Sequence, residues 1–557
     1  MTKKRKHSLS KITGSAVLVV SLITGFAVSA TGNPISDLEQ TRGFRKAVTL
    51  AGIREHQAAF QDFADANDGI RASGTEGFNE SADYVADLMS DAGYEVTRQP
   101  FEFAFFEELS PSTLEQVAPN AVTYTNGVDF LTMDYSGSGD VTASVSAVDL
   151  VLAQPAAVSS GCDGNFTEAA VGAPIVPDPT PGADFDGFPA GNIALMQRGT
   201  CSFGLKVVNA QSAGASAAII MNQGNLPERT DLFGGTLGQP VGIPAISVSF
   251  PFGAALNDLI GDGLQLHVVT DTISQIRQTE NVIAETPDGD PNNVVVIGGH
   301  LDSVTAGPGI NDNGSGSATI LEVAQVFAEQ NREPRNKLRF MWYGAEESGL
   351  LGSEFYVGSL TEDELADIAL MLNFDMVGSP NFVRFVYDGD NSAFPANTGT
   401  GVQDGPEGSG VIEAVFTDYF GAVFGTASFE GSAPTPFNGR SDYGPFIAEG
   451  IPAGGLFTGA EGHKTAQEVI DYGGTADIQY DPCYHQACDT FAGTGGATAP
   501  GLGLTGLDQM SDAVAHAVLL FSKRNFAQDP LIDPVAPVGA ARTGSGGGLH
   551  PASHRQV

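Results

Sequence analysis

The sequence predicts an α/β protein in which a mixed β-sheet is sandwiched by helices and a separate β-rich segment is inserted into the chain. Asn293-Val294-Val295-Val296-Ile297 is a continuous apolar run, the pattern of a parallel strand buried on both faces. Two comparable runs follow, Leu338-Arg339-Phe340-Met341-Trp342-Tyr343 and Ile368 to Phe374, and between the first and second lies the helical spacing of Ile320, Leu321, Val323, Ala324 and Phe327. From about Ser136 to Thr272 the texture changes to Gly, Ala and Pro with short strands, which marks an insert at 136–272.

The elements can be justified in chain order. Lys3, Lys4, Arg5 and Lys6 lead into an apolar stretch from Ala16 to Val28 and the small-residue end Val28-Ser29-Ala30, so residues 1–30 read as a signal peptide cleaved after Ala30. The apolar run is shorter than the roughly 20 residues of a membrane span, and no Cys at the cleavage point is available to carry a lipid. A secreted protein is expected, extracellular, or periplasmic if the source has an outer membrane. Residues 31–135 form the first part of the main domain, and Thr31 to about Gln40 has the position of a short pro-region. Ser81 to Met89 puts Tyr84, Val85, Leu88 and Met89 on one helical face ending at Gly93, and the alternations Glu95-Val96-Thr97 and Phe101-Glu102-Phe103 then read as sheet. The main domain resumes over 273–528, and 529–557, rich in Pro, Gly, Ser and Ala, reads as a flexible tail.

Composition sets outer limits. A chain of 557 residues with 42% hydrophobic residues suggests two to four cores at roughly 150 residues per domain, which excludes global disorder. With 66 Asp+Glu against 26 Lys+Arg, the net charge of −40 argues against nucleic acid as a partner. Charged residues total only 17%, so the imbalance reflects scarce Lys and Arg and fits solubility, unless a local acidic cleft attracts cations. Export favours disulfides, and position pairs Cys162 with Cys201 and Cys483 with Cys488. The alternative, metal binding by Cys483 and Cys488, lacks a second Cys pair.

The chemistry gathers at strand ends. The first buried strand stops at Gly298-Gly299-His300-Leu301-Asp302, where Asp302 could accept the second ring N–H of His300 and fix its tautomer; alone, such a His is more often structural. Asp312 lies in a Gly/Asn loop before a helix, a place an N-cap also favours. The second strand ends at Gly344-Ala345-Glu346-Glu347 and the third at Asp375. In open α/β sheets these carboxyl ends line the ligand crevice, so the residues can converge. Adjacent Glu346 and Glu347 would repel unless one binds cations and the other carries a proton. His485 sits beside Tyr484 inside the Cys483–Cys488 loop. Mixed His and carboxylate donors suit a two-zinc site in which one carboxylate bridges the ions.

Taken in order, His300-x-Asp302, Asp312, Glu346-Glu347, Asp375 and Tyr484-His485 resemble the co-catalytic di-zinc aminopeptidases, more narrowly the secreted bacterial leucyl aminopeptidase type. The resemblance extends to Ile70-Arg71-Ala72-Ser73-Gly74-Thr75 and Gly439-Arg440-Ser441-Asp442-Tyr443. The insert resembles the protease-associated domain through Ile193 to Phe203, Gly214 to Asn222 and Gly242-Ile243-Pro244-Ala245-Ile246. The resemblance implies a zinc-peptidase fold and two Zn2+, with His300 and Asp375 on one ion, Glu347 and His485 on the other, and Asp312 bridging through a cis Asp312–Asn313 bond. It makes Glu346 the general base that activates a bridging hydroxide, Tyr484 an oxyanion donor, and Arg440 and Phe457 substrate-binding residues with a preference for Leu or another hydrophobic N-terminal residue. Asp508 and Asp512, four apart on a helix, stand where some relatives carry a calcium-modulated position, against the plain alternative of a solvated helix face. Expected partners are peptides with a free N-terminus, with no membrane contact after leader removal and a monomeric state. A carboxypeptidase of the same fold would want more basic residues, a glutaminyl-cyclase-like enzyme would use an altered ligand set, and a non-catalytic binding protein would have lost ligands.

Overall fold

The computed structural model describes residues 34–153, 158–180, 182–395, 401–493 and 502–532; the expected leader and the tail beyond Ile532 lie outside them. Among the described residues no helix is long and apolar enough to cross a membrane. At the centre, the strands Asn336–Tyr343, Asp290–His300, Ile368–Phe374 and Ala453–Phe457 lie side by side, in that spatial order and all parallel. Alternate residues enter two cores, as side chains of period two must. Val295, Ile297, Phe340, Trp342 and Leu372 pack under the helices Leu50–Ala66, Glu76–Asp91, Gly314–Glu329, Ser409–Phe424 and Leu502–Lys523. Val294, Val296, Met341 and Met371 pack under Leu351–Ser359 and Tyr443–Ala448 on the other face.

One local reading changes and one holds. The helix Gly314–Glu329 is not amphipathic: from Gly314 to Ala324 every residue is buried, because it lies between the sheet and the helices Leu50–Ala66 and Leu502–Lys523. The fully buried Trp342 donates to its Ser317 carbonyl at 3.1 Å. The helix Glu76–Asp91 matches its expected face, with Val85 and Met89 wholly buried and Gly93 at φ +90° just beyond its end.

The insert is joined through a long ribbon. Glu95–Ala118 and Gln265–Glu285 run antiparallel along nearly their whole lengths. One end of Gln265–Glu285 pairs with Asn336–Tyr343 of the central sheet and the other with Gly139–Ala147 of the insert. The insert continues through Ile193–Gln197, Ala217–Met221 and Ala245–Val248, all parallel. Phe130–Thr132 pairs with Ala245–Val248 as well, so the insert's sheet recruits residues ahead of the compositional change at Ser136. Hydrogen bonding, not Gly/Pro content, sets where the sheet begins.

The helix Leu502–Lys523 closes over Pro34–Arg45, where buried His516 meets the Thr41 hydroxyl at 2.7 Å. Burial, with Arg45 nearby, pushes the His516 imidazole down to about 3. The folded form therefore keeps His516 neutral while the unfolded chain takes up a proton below about 6.5. Its stabilising contribution is complete above that pH and is lost as pH falls, at about 1.4 kcal/mol per unit. In a series of thermal melts from pH 7 to pH 4, His516→Gln should show a slope shallower by about one proton.

Candidate metal centre

Each central strand delivers its chemistry at the same edge. His300 closes the strand Asp290–His300. A side chain at the preceding Gly299 would bring its Cβ within 2.5 Å of the Phe374 carbonyl, so the close approach of the two strands requires glycine there. Glu346 and Glu347 follow Tyr343 by three and four residues, and Asp375 follows Phe374 directly. Asp312 precedes the helix Gly314–Glu329, but it is not the cap: Asn313 is, its side chain accepting from Gly316 N–H. The Asp312–Asn313 bond is cis.

Asp312 lies between two histidines. Its Oδ1 is 3.3 Å from His300 Nε2 and its Oδ2 is 3.2 Å from His485 Nε2. His300 Nε2 is also 3.3 Å from Asp375 Oδ1, and His485 Nε2 is 3.0 Å from Glu347 Oε2. Two donor groups therefore meet at one carboxylate, His300-Asp312-Asp375 and Asp312-Glu347-His485. Glu346 stands at their side, its Oε2 3.9 Å from His300 Nε2, and with His300 and Glu347 it makes a third, overlapping group of donors.

The electrostatics call for positive charge. Burial opposes a charged His300, but the Glu346 and Asp375 carboxylates outweigh it and push the ring well up. Burial likewise opposes charge on His485, yet Glu347 and Asp312 raise it to about 11. Burial and the Asp312 carboxylate lift Glu347 to about 7, while bonds from both histidines hold Asp312 below the usual carboxylate range despite its burial. Glu347 Oε1 and Asp375 Oδ1 are buried with no hydrogen-bond partner. Divalent cations meet these demands without protons, and His plus carboxylate donors with an open side suit zinc.

Around this set, several groups hold the donor side chains in place. Asp302 does so differently from expectation: His300 Nδ1 is 3.1 Å from its backbone carbonyl, while its carboxylate stands off at 3.7 Å. The Asp302 carboxylate instead accepts the backbone N–H groups of Glu346 and Glu347 at 3.2 and 3.4 Å, which orients both acids. Asp489, unread in the sequence, accepts Asn311 N–H at 2.7 Å and Asp312 N–H at 2.9 Å. Ser441 donates to Asp375 Oδ2 at 2.7 Å and is approached by Asn373 Nδ2 at 2.8 Å. Beside it Asp442 is fully buried, with neither carboxylate oxygen partnered, and burial pushes it up to about 7.

His485 and Tyr484 lie in a loop closed by the Cys483–Cys488 disulfide, and the second disulfide joins Cys162 to Cys201. Metal binding by cysteine is thereby excluded, since no free cysteine remains. Tyr484 stacks on His485 with ring centroids 3.8 Å apart, and its hydroxyl accepts from Arg440 at 3.1 Å. Arg440 also donates to Glu461 at 2.6 Å. Phe457 is half-buried and stacks on Phe385, centroids 6.1 Å apart. Asp508 and Asp512 do not join any metal-donor group among the described residues, and Asp512 faces Arg45 at 3.7 Å.

Comparison with known proteins identifies the family. Residues 281–499 match the model of Peptidase family M28, and residues 148–256 that of the PA domain. The "Aminopeptidase" of Pseudomonas aeruginosa PAO1 is 44% identical over 452 residues, covering 81% of this chain and 78% of its own length. The "Leucine aminopeptidase 2" of Trichophyton rubrum is 37% identical over 492 residues, with 87% and 88% covered. Among solved structures, the aminopeptidase from Aneurinibacillus sp. strain AM-1 superposes with a TM-score of 0.55 at 27% identity, covering 87% of this chain and 97% of that one. Fold, site and relatives together define a metallo-aminopeptidase, a zinc-dependent hydrolase by family character. The chain belongs to peptidase family M28, with a PA domain inserted.

Proposed function

We propose that the chain is a secreted, two-zinc aminopeptidase that removes Leu or another hydrophobic residue from the N-terminus of peptides. The observation that carries this is Asp312, whose two oxygens face two different histidines at 3.3 and 3.2 Å and so suit a bridge between two ions. In this reading His300 and Asp375 hold one zinc, Glu347 and His485 the other, and Asp312 both. Bound there, the ions would supply an acidified water and a polarised carbonyl.

The chain's own residues do the rest. Glu346 takes a proton from the attacking water and returns it to the leaving amine; burial, with Asp375 and Glu347 beside it, pushes its carboxyl well up, so it can hold that proton between the two transfers. Tyr484 directs its hydroxyl toward the developing oxyanion, with Arg440 at 3.1 Å keeping it in place. The substrate ammonium lies among Glu346, Asp375 and the Arg440 segment, which restricts cleavage to the first residue. Arg440 is engaged by Glu461 at 2.6 Å, so it does not offer a free charge to a substrate carboxylate, which disfavours a carboxypeptidase. Phe457, braced by Phe385, forms a wall for an apolar side chain.

Leu-4-nitroanilide should be cleaved and its N-acetyl form not, with activity lost on chelation and restored by zinc. Cleavage of the acetylated substrate would defeat the exopeptidase reading, and indifference to chelation the metal reading.

A further inference from the structure

We propose a second cation site, for calcium, at Asp388, Asp390, Ser392 and Glu413, distinct from the zinc centre and from the Asp508–Asp512 position. The strand Phe385–Tyr387 runs into the turn Asp388-Gly389-Asp390-Asn391-Ser392, and the helix Ser409–Phe424 brings Glu413 against it. One carboxylate oxygen from each of Asp388, Asp390 and Glu413 lies within 4.8 Å of the others. That spread is what ligands at 2.3–2.6 Å around one calcium ion produce, and alternate residues from one turn plus a distant glutamate is a common donor arrangement.

Two further features point to a ligand. The Ser392 hydroxyl oxygen is buried and has no hydrogen-bond partner, although the same residue's N–H sits 3.1 Å from Asp388 Oδ1 and 3.0 Å from Asp390 Oδ1. A buried hydroxyl left unpaired is costly unless it too has something to bind. Asp388 is 2% exposed and Glu413 4%, and neither Asp388 nor Asp390 forms an ion pair with Lys, Arg or His among the described residues. Burial, with Asp390 beside it, raises the Asp388 carboxyl. The donors are all oxygen, which selects a hard cation over zinc.

The site would brace the active-site wall. Phe385 stacks on Phe457, and Tyr387 stacks on Phe437 at 5.0 Å and meets Tyr443 edge-on at 4.8 Å. A cation at Asp388 therefore ties the end of this strand to the helix behind it.

The test uses the full-length, zinc-loaded protein titrated with calcium chloride up to 10 mM and, separately, with terbium. Calcium should raise Tm by several degrees with a midpoint at about 0.1–1 mM, the range of extracellular calcium modules. Terbium should luminesce on excitation of the tyrosines, because Tyr387 directly precedes Asp388. Asp390→Asn and Ser392→Ala, which keep the turn's volume, should move the calcium midpoint at least tenfold, and Asp512→Asn should leave it in place. No calcium-dependent rise in Tm in the wild type would overturn the proposal. So would a midpoint unchanged in both turn variants, or one displaced by Asp512→Asn.

Discussion

Replacing Glu346 by Gln is expected to reduce kcat on Leu-4-nitroanilide by about 10³-fold, within the 10²–10⁴ that positioned acid–base catalysis contributes, while bound zinc stays the same. The amide keeps the volume and the backbone N–H bonds to Asp302 at Glu346, but it cannot take up or return a proton. Glu347→Gln should behave oppositely. Glu347 Oε2 is 3.0 Å from His485 Nε2, whereas the nearest Glu346 oxygen is 3.9 Å from His300. Its loss should lower zinc content first and activity as a consequence, with excess zinc giving partial recovery. Metal analysis beside kcat separates the two: loss of zinc from the Glu346 variant would make that residue a ligand, and full zinc retention by the Glu347 variant would remove it from the ligand set.

The same neighbouring glutamates mark what a sequence makes legible. Strand ends carrying His300, Glu346, Glu347 and Asp375 could be read because a continuous apolar run ends abruptly in residues that have no place in a core. The parallel order of the strands then brings them together. Roles that depend on which strands are neighbours could not be read. Asp302 serves the Glu346–Glu347 backbone because the strands Asp290–His300 and Asn336–Tyr343 are adjacent, and two-residue spacing from His300 suggests a different partner. Asp489 grips residues nearly two hundred positions earlier, and no periodicity signals a single polar residue at that separation. Gly and Pro report loops and not sheet pairing, so composition alone does not show that Phe130–Thr132 joins the insert's sheet or that Gln265–Glu285 runs through the change at Thr272 without interruption.

Arg71→Met is expected to destabilise the protein by about 4 kcal/mol and to weaken zinc binding at the same time. Arg71 has no solvent exposure, and its guanidinium donates to the carbonyls of Leu301, Pro308 and Gly309 at 2.5, 2.9 and 2.7 Å. Burial brings its pKa down to about 10, against Asp489, Asp302, Asp312 and Glu347, which favour the charge, so it stays cationic at neutral pH. Removing it orphans three buried carbonyls, each worth about 1–3 kcal/mol, and takes a positive charge from beneath an acidic pocket. The methionine's retained contact with Phe60, whose ring lies 5.0 Å from the guanidinium, offsets part of that. Those carbonyls belong to the stretch between His300 and Asp312, so slackening it should separate these two donor residues before the fold is lost. Arg71→Lys keeps the charge without the planar fork and should fall between the two. Urea unfolding of the metal-free and zinc-loaded forms checks this: a larger deficit in the zinc-loaded form is the expected result, because lost zinc affinity adds to lost packing. Equal deficits would mean that Arg71 supports the fold and leaves the metal centre untouched.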